Sequence, residues 1–442
     1  MAHPEGTLTL EFLTTFLPEF LIEKYARALG VVERDRKVDP VLLVWTLILG
    51  FPAGAKRTLA SLRRRFQQAA GLTVARSSFH ARLTRPLAEL LKKLVDWRLS
   101  MGRDGRESDG GLAGFKELLA LDSTVVQLHK MLASRWQSTD PDGAAAKLHM
   151  VTNVISGSPN RVQMSGQRTS DVGPWKTIGS WVTDCLLLID LGYYEFHLFW
   201  RINQKGGSYL SRAKSNANPN IVESNQVVRG NAIDLVGRQL QDVLGRLKRR
   251  FIDVEVEVPV KLRKYRGTRS TRQMRMRMVG VRNHETGDYH LYFTNIDADT
   301  LTPAEIAQTY RLRWQVELLF TRLKTTMRLN QLPSSKPEVV EALIYAAILS
   351  VLMSNAFLQV LRRLKPARVF PAQRMDAVFR DVATLLLMLI AQRRRDQPLD
   401  LFTFMLAEAA DPNRDRPRSH DILGAIPLDN ALDYGVFEEV SA

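Results

Sequence analysis

Cysteine is almost missing from this chain of 442 residues, which contains a single one, Cys185. One thiol excludes an intramolecular disulfide and any zinc site made of cysteines. The residues that follow it, 186–189, are all apolar, so we expect Cys185 to be a small buried residue of the core. No disulfide within the chain therefore holds the fold together.

A signal-peptide pattern and an uninterrupted apolar run are missing too. The longest apolar stretch spans residues 340–361, and five polar residues interrupt it: Glu341, Ser350, Ser354, Asn355 and Gln359. These interruptions favour a buried helix over a membrane span. We therefore expect a cytoplasmic protein with no membrane partner.

Acidic residues are scarce in two stretches of a strongly basic chain, whose net charge is +16. Residues 51–100 contain eleven Lys and Arg against two acids, and residues 261–280 contain eight and no acid. Because the rest of the chain is close to neutral, the excess is local, as a surface that follows phosphates requires. Nucleic acid is the expected partner, and an anionic membrane or an acidic protein are the alternatives.

Residues 1–100 show helical periodicity and contain a stretch that resembles a helix-turn-helix unit. One helix ends at Gly71, a C-cap signal, and a second begins near residues 76–78 and stops before Pro86. Such a second helix could lie in a major groove, whereas the alternative is a helix pair with solvated arginines. The candidate DNA contacts are Arg63, Arg64, Arg65, Arg76 and Arg82.

The middle of the chain predicts an α/β sheet that is followed by a second group of strands. The first strands are predicted at 116–128, 146–156, 161–167, 185–190 and 208–214, with helices over 173–183 and 192–204. The later elements are a helix over 230–250, three strands within 251–296, and helices over 338–361 and 372–391. A Gly- and Asp-rich linker over 101–114 separates this part from the N-terminal helices.

Two aspartates occupy unusual positions in the predicted sheet. Asp122 interrupts the run LLALDSTVV, and a buried carboxylate is costly unless it is hydrogen-bonded or binds a metal. Asp190 ends CLLLID, at the carboxyl end of a strand, where ligands gather in open α/β sheets. Either residue taken alone could instead cap a turn or a helix.

A third acid lies on a predicted helix among bases and a phenol. At about 100° per residue, one narrow stripe of a regular helix contains Tyr310, Arg313, Glu317 and Lys324. A neighbouring apolar stripe that faces the core contains Leu312, Val316, Leu319, Phe320 and Leu323. Salt-bridged helices in solvent show the same pattern, so the stripe alone does not establish a site.

Carboxylates brought close together repel one another, and divalent cations turn that repulsion into a binding site. Mg²⁺ takes a few carboxylates together with phosphate oxygens of a substrate. Two such ions can activate water and stabilise the leaving oxygen when a phosphodiester is cut. Cations beside Glu317 would hold the flanking phosphates.

The YREK signature consists of Tyr, two residues, Arg, three residues, Glu, six residues and Lys. Residues 310–324 match every gap of this signature. With LLALDSTVV and CLLLIDLGYY in the same order, the chain resembles the DDE transposases of bacterial insertion sequences, in the IS-four branch. The resemblance covers about residues 50–365. It implies that Asp122, Asp190 and Glu317 are the catalytic, metal-binding residues and that the other three signature residues contact DNA.

The resemblance implies an α/β fold, namely an RNase H-like catalytic core with a β-rich insertion. An all-α N-terminal DNA-binding domain and an all-α C-terminal region would flank it. It also implies Mg²⁺, with two ions and with Mn²⁺ able to substitute, and a homodimer in the synaptic complex. The partner would be double-stranded DNA, both transposon ends and target, on the nucleoid of a bacterium.

Some members of this family form a DNA hairpin, for which a tryptophan of the insertion stacks on a flipped base. Residues 215–300 contain no Trp. The aromatic residues that could stack instead are Tyr265, Tyr289, Tyr292 and Phe293. Outside the insertion we assign Trp314 to the core, with stacking on DNA as the alternative, and His129 and His149 to packing or phosphate contacts.

The chain therefore divides into six predicted parts. They are a helical DNA-binding domain (1–100), the first part of the core (115–214), the β-rich insertion (215–300), the second part of the core with the glutamate helix (301–330), a helical C-terminal region (331–410) and a tail (411–442).

The expected function is that of a metal-dependent DNA transposase. It would bind terminal inverted repeats, cleave them by Mg²⁺-dependent hydrolysis and transfer the 3′-hydroxyl ends to target DNA. Two alternatives are an RNase H-like nuclease that cuts without joining, and a domesticated transposase that acts only as a DNA-binding or regulatory protein.

Overall fold

The structure is a computed structural model, and it describes residues 5–32, 38–53, 58–101, 112–225, 235–265, 268–392, 405 and 407–410. The described residues fall into two compact units. The first unit contains described residues within 5–101, 121–174 and 314–410, and the second contains those within 112–120 and 175–313. The predicted tail at 411–442 and most of the predicted linker at 101–114 lie outside the described residues.

The helices within these ranges are α1 (Glu5–Phe16), α2 (Glu19–Ala28), α3 (Pro40–Ala53), α4 (Leu59–Ala70), α5 (Arg76–His80), α6 (Arg85–Met101), α7 (Phe196–Gln204), α8 (Leu240–Leu244), α9 (Pro303–Arg311), α10 (Gln315–Thr321), α11 (Pro337–Leu364) and α12 (Ala372–Gln392). The strands are β1 (Glu117–Leu128), β2 (Ala144–Asn153), β3 (Ser158–Gly166), β4 (Cys185–Ile189), β5 (Ser208–Arg212), β6 (Asn220–Ser224), β7 (Phe251–Tyr265), β8 (Thr268–Arg282) and β9 (Tyr289–Thr294).

Helix α11 forms the apolar centre of the first unit. It is long and apolar enough to cross a membrane, but 83% of its most apolar window is buried inside the structure. It packs against α3, α6 and α12, and the Ser350 hydroxyl donates a hydrogen bond to the carbonyl of Ile48 on α3. A neighbouring helix therefore satisfies this polar interruption of the sequence, and the prediction of a buried helix is confirmed.

The predicted helix-turn-helix unit differs from the structure in its second helix. Gly71 ends α4 in the left-handed conformation, with φ of 64°, as predicted. Helix α5, however, has only 5 residues and no side-chain cap, and α6 already begins at Arg85. Helix α5 does begin at Arg76 and end before Pro86 as predicted, and Pro86 itself lies in the first turn of α6, where its missing N–H costs nothing.

Strand β1 contributes to both units, since residues 117–120 belong to the second and residues 121–128 to the first. In the first unit the strand order is β3-β2-β1, and β2 and β3 are antiparallel. In the second unit the order is β1-β4-β5-β9-β8-β7-β6. The predicted mixed α/β fold with a large sheet is confirmed.

The predicted second group of strands continues this sheet. Strands β4 and β5 are parallel, whereas β9 pairs antiparallel with both β5 and β8.

Two helix predictions are wrong. Residues 173–183 form two short 3-10 turns, Gly173–Trp175 and Ser180–Val182, and the described part of 230–250 contains only the short helix α8.

A buried ion pair in the second unit holds the segment that leads into α9. Asp253 Oδ2 on β7 lies 2.7 Å from Arg277 Nη2 on β8, and both side chains are almost fully buried. The Arg277 guanidinium also donates to the carbonyls of Ile296, Asp297 and Leu301. Arg277 was part of the basic stretch expected to face phosphates, and its charge is instead used inside the protein.

His149 on β2 is fully buried, and its Nε2 lies 2.8 Å from the Ser165 hydroxyl on β3. It therefore serves in packing, one of the two roles predicted for it. Burial lowers its pKa to about 4, although Asp171 nearby acts in the opposite direction. The imidazole is neutral in the folded protein at neutral pH.

We expect this histidine to make the protein less stable as the pH falls from 6.5 to 4. In that window the unfolded chain binds a proton at His149 and the folded chain does not, so protonation favours unfolding. The effect amounts to about 3 kcal/mol at most. Urea unfolding at pH 4.5 and 7 should show a smaller pH dependence for His149→Gln than for the unmodified protein, and equal pH dependences would contradict the assignment.

Candidate active site

Asp190 lies at the carboxyl end of β4, the strand whose five residues are all buried. Its Oδ2 accepts a hydrogen bond from the Gly192 amide at 3.1 Å and so caps the short turn that follows. Its Oδ1 lies 3.4 Å from Nη1 of Arg313, and the side chain is 32% exposed. One carboxylate oxygen thus has a structural role, and the other faces a cation at the surface of the second unit.

Tyr310 lies beside Asp190 in the same unit. Helix α9, which carries it, begins with a capping box between Thr302 and Glu305. The Tyr310 hydroxyl is 3.4 Å from the carbonyl of Ile189, and its ring lies 5.3 Å from that of Tyr292. Burial raises the pKa of Tyr310 to about 12, with Arg313 opposing that shift and Asp190 adding to it. The phenol is therefore a hydrogen-bond donor at neutral pH.

The structure thus brings together three of the predicted site residues, Asp190, Tyr310 and Arg313. This cluster belongs entirely to the second unit. Along the chain, Asp190 comes first at the end of a strand, and Tyr310 and Arg313 follow much later in one helical segment, as the sequence predicts.

Asp122 belongs to the first unit and lies within β1 rather than at its end. This position inside the strand differs from the alternative, in which the aspartate would cap a turn at a strand end. Its Oδ1 accepts from the Ser123 amide at 2.7 Å, and the Ser123 hydroxyl donates to Asp171 at 2.8 Å. Asp171 in turn pairs with Lys147 Nζ at 3.1 Å. Sequence reasoning missed Asp171 and Lys147, since neither belongs to a recognisable pattern.

Glu317 and Lys324 also belong to the first unit, where Glu317 lies on α10 and Lys324 in the helical turn that follows it. The apolar stripe predicted beside them is buried at every position: Leu312, Val316, Leu319, Phe320 and Leu323. Glu317 and Lys324 are half-buried, and burial lowers the pKa of Lys324. The predicted division of this segment into a packing face and a more exposed face is confirmed.

The segment is not the single regular helix that the stripe assumed. A 3-10 turn, Leu312–Trp314, precedes α10, and a π-helical turn, Arg322–Thr326, follows it. Arg322 at the start of that π turn is buried and bonded to Asp376 and Asn355. Extra residues per turn of this kind recur at functional sites, and here the π turn carries Lys324.

No group of three or more His, Cys, Asp or Glu side chains in the described residues is arranged to hold a metal ion. Asp122 and Glu317 lie in the first unit and Asp190 in the second. His129 is exposed, and its Nδ1 accepts from the Met131 amide. This hydrogen bond joins His129 to a residue two positions away and does not indicate a metal site.

The five N-terminal arginines lie in different surroundings. Arg64 and Arg76 are exposed. Arg63 donates to the carbonyl of Val74 at 3.1 Å, and Arg82 is half-buried. Arg65 differs from the prediction, because its guanidinium donates to Thr384 of α12 at 2.7 Å. Burial lowers the pKa of Arg65, so its role is to join α4 to α12.

The aromatic residues also differ from expectation. Trp314 is 57% exposed, so its assignment to the core is wrong. Tyr292 and Phe293 are buried, and the Tyr289 hydroxyl donates to the carbonyl of Arg249. Tyr265, the fourth residue predicted to stack on a base, has a side chain outside the described residues. Exposure therefore favours Trp314 as a stacking surface.

Comparison with known proteins gives one family and several relatives. The Transposase DDE domain family matches residues 113–353. The transposase of insertion sequence element IS231B from Bacillus thuringiensis subsp. berliner is 22% identical over an alignment of 462 positions, which covers 96% of each chain. The transposase of IS231C from the same organism is also 22% identical, over 97% of each chain.

Two further similarities are more limited. The putative transposase InsL of IS186A from Escherichia coli K12 is 34% identical over 83 residues, 19% of this chain and 22% of that one. The piggyBac transposase in a cryo-EM synaptic complex with hairpin DNA aligns with 92% of this chain and 86% of that one, at 10% identity and a TM-score of 0.45. Because the family match covers more than half of the sequence, the chain belongs to the DDE-domain transposases and is a metal-dependent DNA transposase.

Proposed function

We propose that this transposase binds the terminal inverted repeats of its own element, cuts them by Mg²⁺-dependent hydrolysis and joins the 3′-hydroxyl ends to target DNA. The observation that carries the proposal is the cluster of Asp190, Tyr310 and Arg313. It combines a carboxylate at a strand end with a protonated phenol and a guanidinium. A carboxylate can bind a cation, and the two donors can bind the phosphate that the cation brings.

We assign the metal-binding carboxylates to Asp122, Asp190 and Glu317. All three are partly exposed, and carboxylate oxygens are the ligands that Mg²⁺ prefers. Asp190 offers the oxygen that faces Arg313, and Asp122 lies within strand β1. Two Mg²⁺ ions, or Mn²⁺ in their place, would supply an activated nucleophile and a stabilised leaving oxygen.

Tyr310, Arg313 and Lys324 are proposed to hold the DNA next to the cut. Tyr310 stays protonated at neutral pH and donates a hydrogen bond. Arg313 can offer a planar pair of donors to a phosphate, a geometry that a guanidinium fits well. Lys324 is partly withdrawn from water, which strengthens its interaction with a nearby anion. The match of these residues to the YREK signature supports membership of the IS-four branch.

Arg313→Gln is expected to lower the rate of end cleavage by about 10- to 100-fold, since a hydrogen bond to a charged group contributes roughly 1.5–3 kcal/mol. Single-turnover cleavage in Mg²⁺ at saturating protein measures the rate without the effect on binding. Arg311→Gln is the matched control, because Arg311 is exposed two positions earlier in the same segment. Equal rates for the two variants would remove Arg313 from the site.

We infer that the described sheet belongs to an RNase H-like core. The supporting observation is a mixed sheet in which β1 neighbours the antiparallel pair β2 and β3 in the first unit and the parallel pair β4 and β5 in the second. Arg64 and Arg76, which are exposed, are proposed to contact the terminal repeats. A homodimer that pairs two ends in the bacterial cytoplasm completes the proposal.

The joining step separates this proposal from a nuclease that only cuts. Purified protein, DNA with the element's two ends and a supercoiled target plasmid are incubated in Mg²⁺. Products in which end DNA is covalently attached to the plasmid support transposition. Cut ends without joined products would favour the nuclease, and repeat binding with neither product would favour a regulatory protein.

A further inference from the structure

We propose that the first unit holds a backbone phosphate of duplex DNA with Arg63, Arg76, His80 and Lys336. These residues come from α4, from α5 and from the position just before α11. The proposal rests on the proposed function, since DNA is the ligand. It adds His80 as a ligand, and it adds Lys336, which no sequence pattern marks and which lies far from the other three along the chain.

Two nitrogen atoms of this set, Nε of Arg63 and Nε2 of His80, are buried and have no hydrogen-bond partner in the part of the chain that is described. A buried donor without a partner costs about 1–3 kcal/mol. An anion that enters here would supply the missing acceptors.

The donors are held in place by packing beneath them. The ring of Phe79, the residue before His80, lies 5.9 Å from that of Phe66 on α4, and both side chains are fully buried. Arg63 is tied to the loop between the helices by its bond to the Val74 carbonyl. Helix α5, which is too short to stay folded alone, is thus fixed against α4. Its polar side chains are therefore held in one arrangement.

The charged side chains that shift the pKa of His80 are all cations. Burial lowers the pKa of His80, and Arg76, Lys336 and Arg63 lower it further. No carboxylate among the described residues contributes to that shift. Cations gathered without a counter-ion repel one another, and a bound phosphate converts this repulsion into attraction. Lys336 itself is exposed, with its amide bonded to the Ser334 hydroxyl at 3.1 Å.

Phosphate chemistry fits this set better than a carboxylate from another part of the protein. Four donor groups from three separate chain segments can surround a tetrahedral anion with several acceptor oxygens. Both a DNA backbone and free phosphate have that chemistry. The local excess of positive charge in residues 51–100, which spans α4 and α5, favours the polyanion.

The test compares two lysines at opposite ends of one helix. Lys336 precedes α11 and Lys365 follows it, and 28 helical residues place them about 40 Å apart. The unmodified protein, Lys336→Gln and Lys365→Gln bind a labelled duplex without metal over a series of salt concentrations. Each phosphate contact that is lost lowers the slope of log affinity against log salt by about 1.

We expect Lys336→Gln to lower the slope by about 1, Lys365→Gln to leave it unchanged and Lys336→Arg to restore it. Equal slopes for the two glutamine variants, while the unmodified protein still cleaves its ends in Mg²⁺, would overturn this site alone. Failure of the unmodified protein to bind or cleave would overturn the proposed function with it. A titration with inorganic phosphate at constant ionic strength distinguishes free phosphate from DNA as the ligand. If Lys336→Gln weakens phosphate binding but leaves the salt dependence of DNA binding unchanged, the assignment to DNA is overturned.

Discussion

Replacement of Glu317 by glutamine is expected to abolish Mg²⁺-dependent cleavage of the transposon ends while leaving end binding intact. Glutamine has nearly the same shape but no charge, so it is a poor ligand for a hard cation. A metal ion contributes several kcal/mol to stabilising the charge that develops in the transition state. A loss of about 4 kcal/mol lowers the rate roughly 10³-fold. Single-turnover cleavage of labelled ends, with binding measured by gel shift, separates the two effects.

Glu23→Gln is the matched control for this variant, because Glu23 is an exposed glutamate on helix α2 of the same unit. It should cleave like the unmodified protein. Asp122→Asn and Asp190→Asn should behave like Glu317→Gln. Cleavage by Glu317→Gln at the rate of the control would remove Glu317 from the metal site, whatever the other two variants do.

Replacement of Asp376 by alanine is expected to lower the free energy of unfolding by about 3–5 kcal/mol, because it leaves a buried guanidinium without its counter-ion. Arg322 is 3% exposed and Asp376 is fully buried, with Nε and Oδ2 2.6 Å apart. The other Asp376 oxygen accepts from the Ser354 hydroxyl at 2.6 Å. Thermal unfolding should shift downward by roughly 10 °C.

Asp381→Ala supplies the control for the effect of alanine on helix α12 itself. Asp381 lies five positions later on the same helix and is exposed, so we expect a change of at most about 0.5 kcal/mol. If both variants melt at the same temperature, the buried pair does not stabilise the first unit. Because Arg322 begins the π turn that carries Lys324, the same variant is also expected to weaken cleavage at temperatures where it remains folded.

Local patterns in the sequence predicted most of the elements that place the candidate site. The apolar run before Asp190 predicted β4, and the apolar stripe of the glutamate segment predicted its packing face at every position. The long helices α11 and α12 were predicted within about three residues at either end. Hydrophobic periodicity is strong in long amphipathic or buried segments, which explains these results.

What the sequence could not show are contacts between residues that lie far apart along the chain. Arg65 lies in a basic stretch of the kind that contacts DNA. Only its bond to Thr384 of α12 reveals a packing role. Trp314 resembled a core residue because large aromatic side chains usually are buried, yet it is 57% exposed. The π turn after α10 depends on where Arg322 is bonded, so no periodicity within the segment could reveal it.

The most direct test of the three-carboxylate site is a cleavage experiment. Purified protein is incubated with labelled DNA that carries the element's own ends, with and without Mg²⁺, and the products are separated on a denaturing gel. We predict cleavage at the repeat boundary only when the metal is present, and none with Asp122→Asn, Asp190→Asn or Glu317→Gln. Binding of the ends without cleavage in either Mg²⁺ or Mn²⁺, or metal-dependent cleavage that survives loss of these carboxylates, would contradict it.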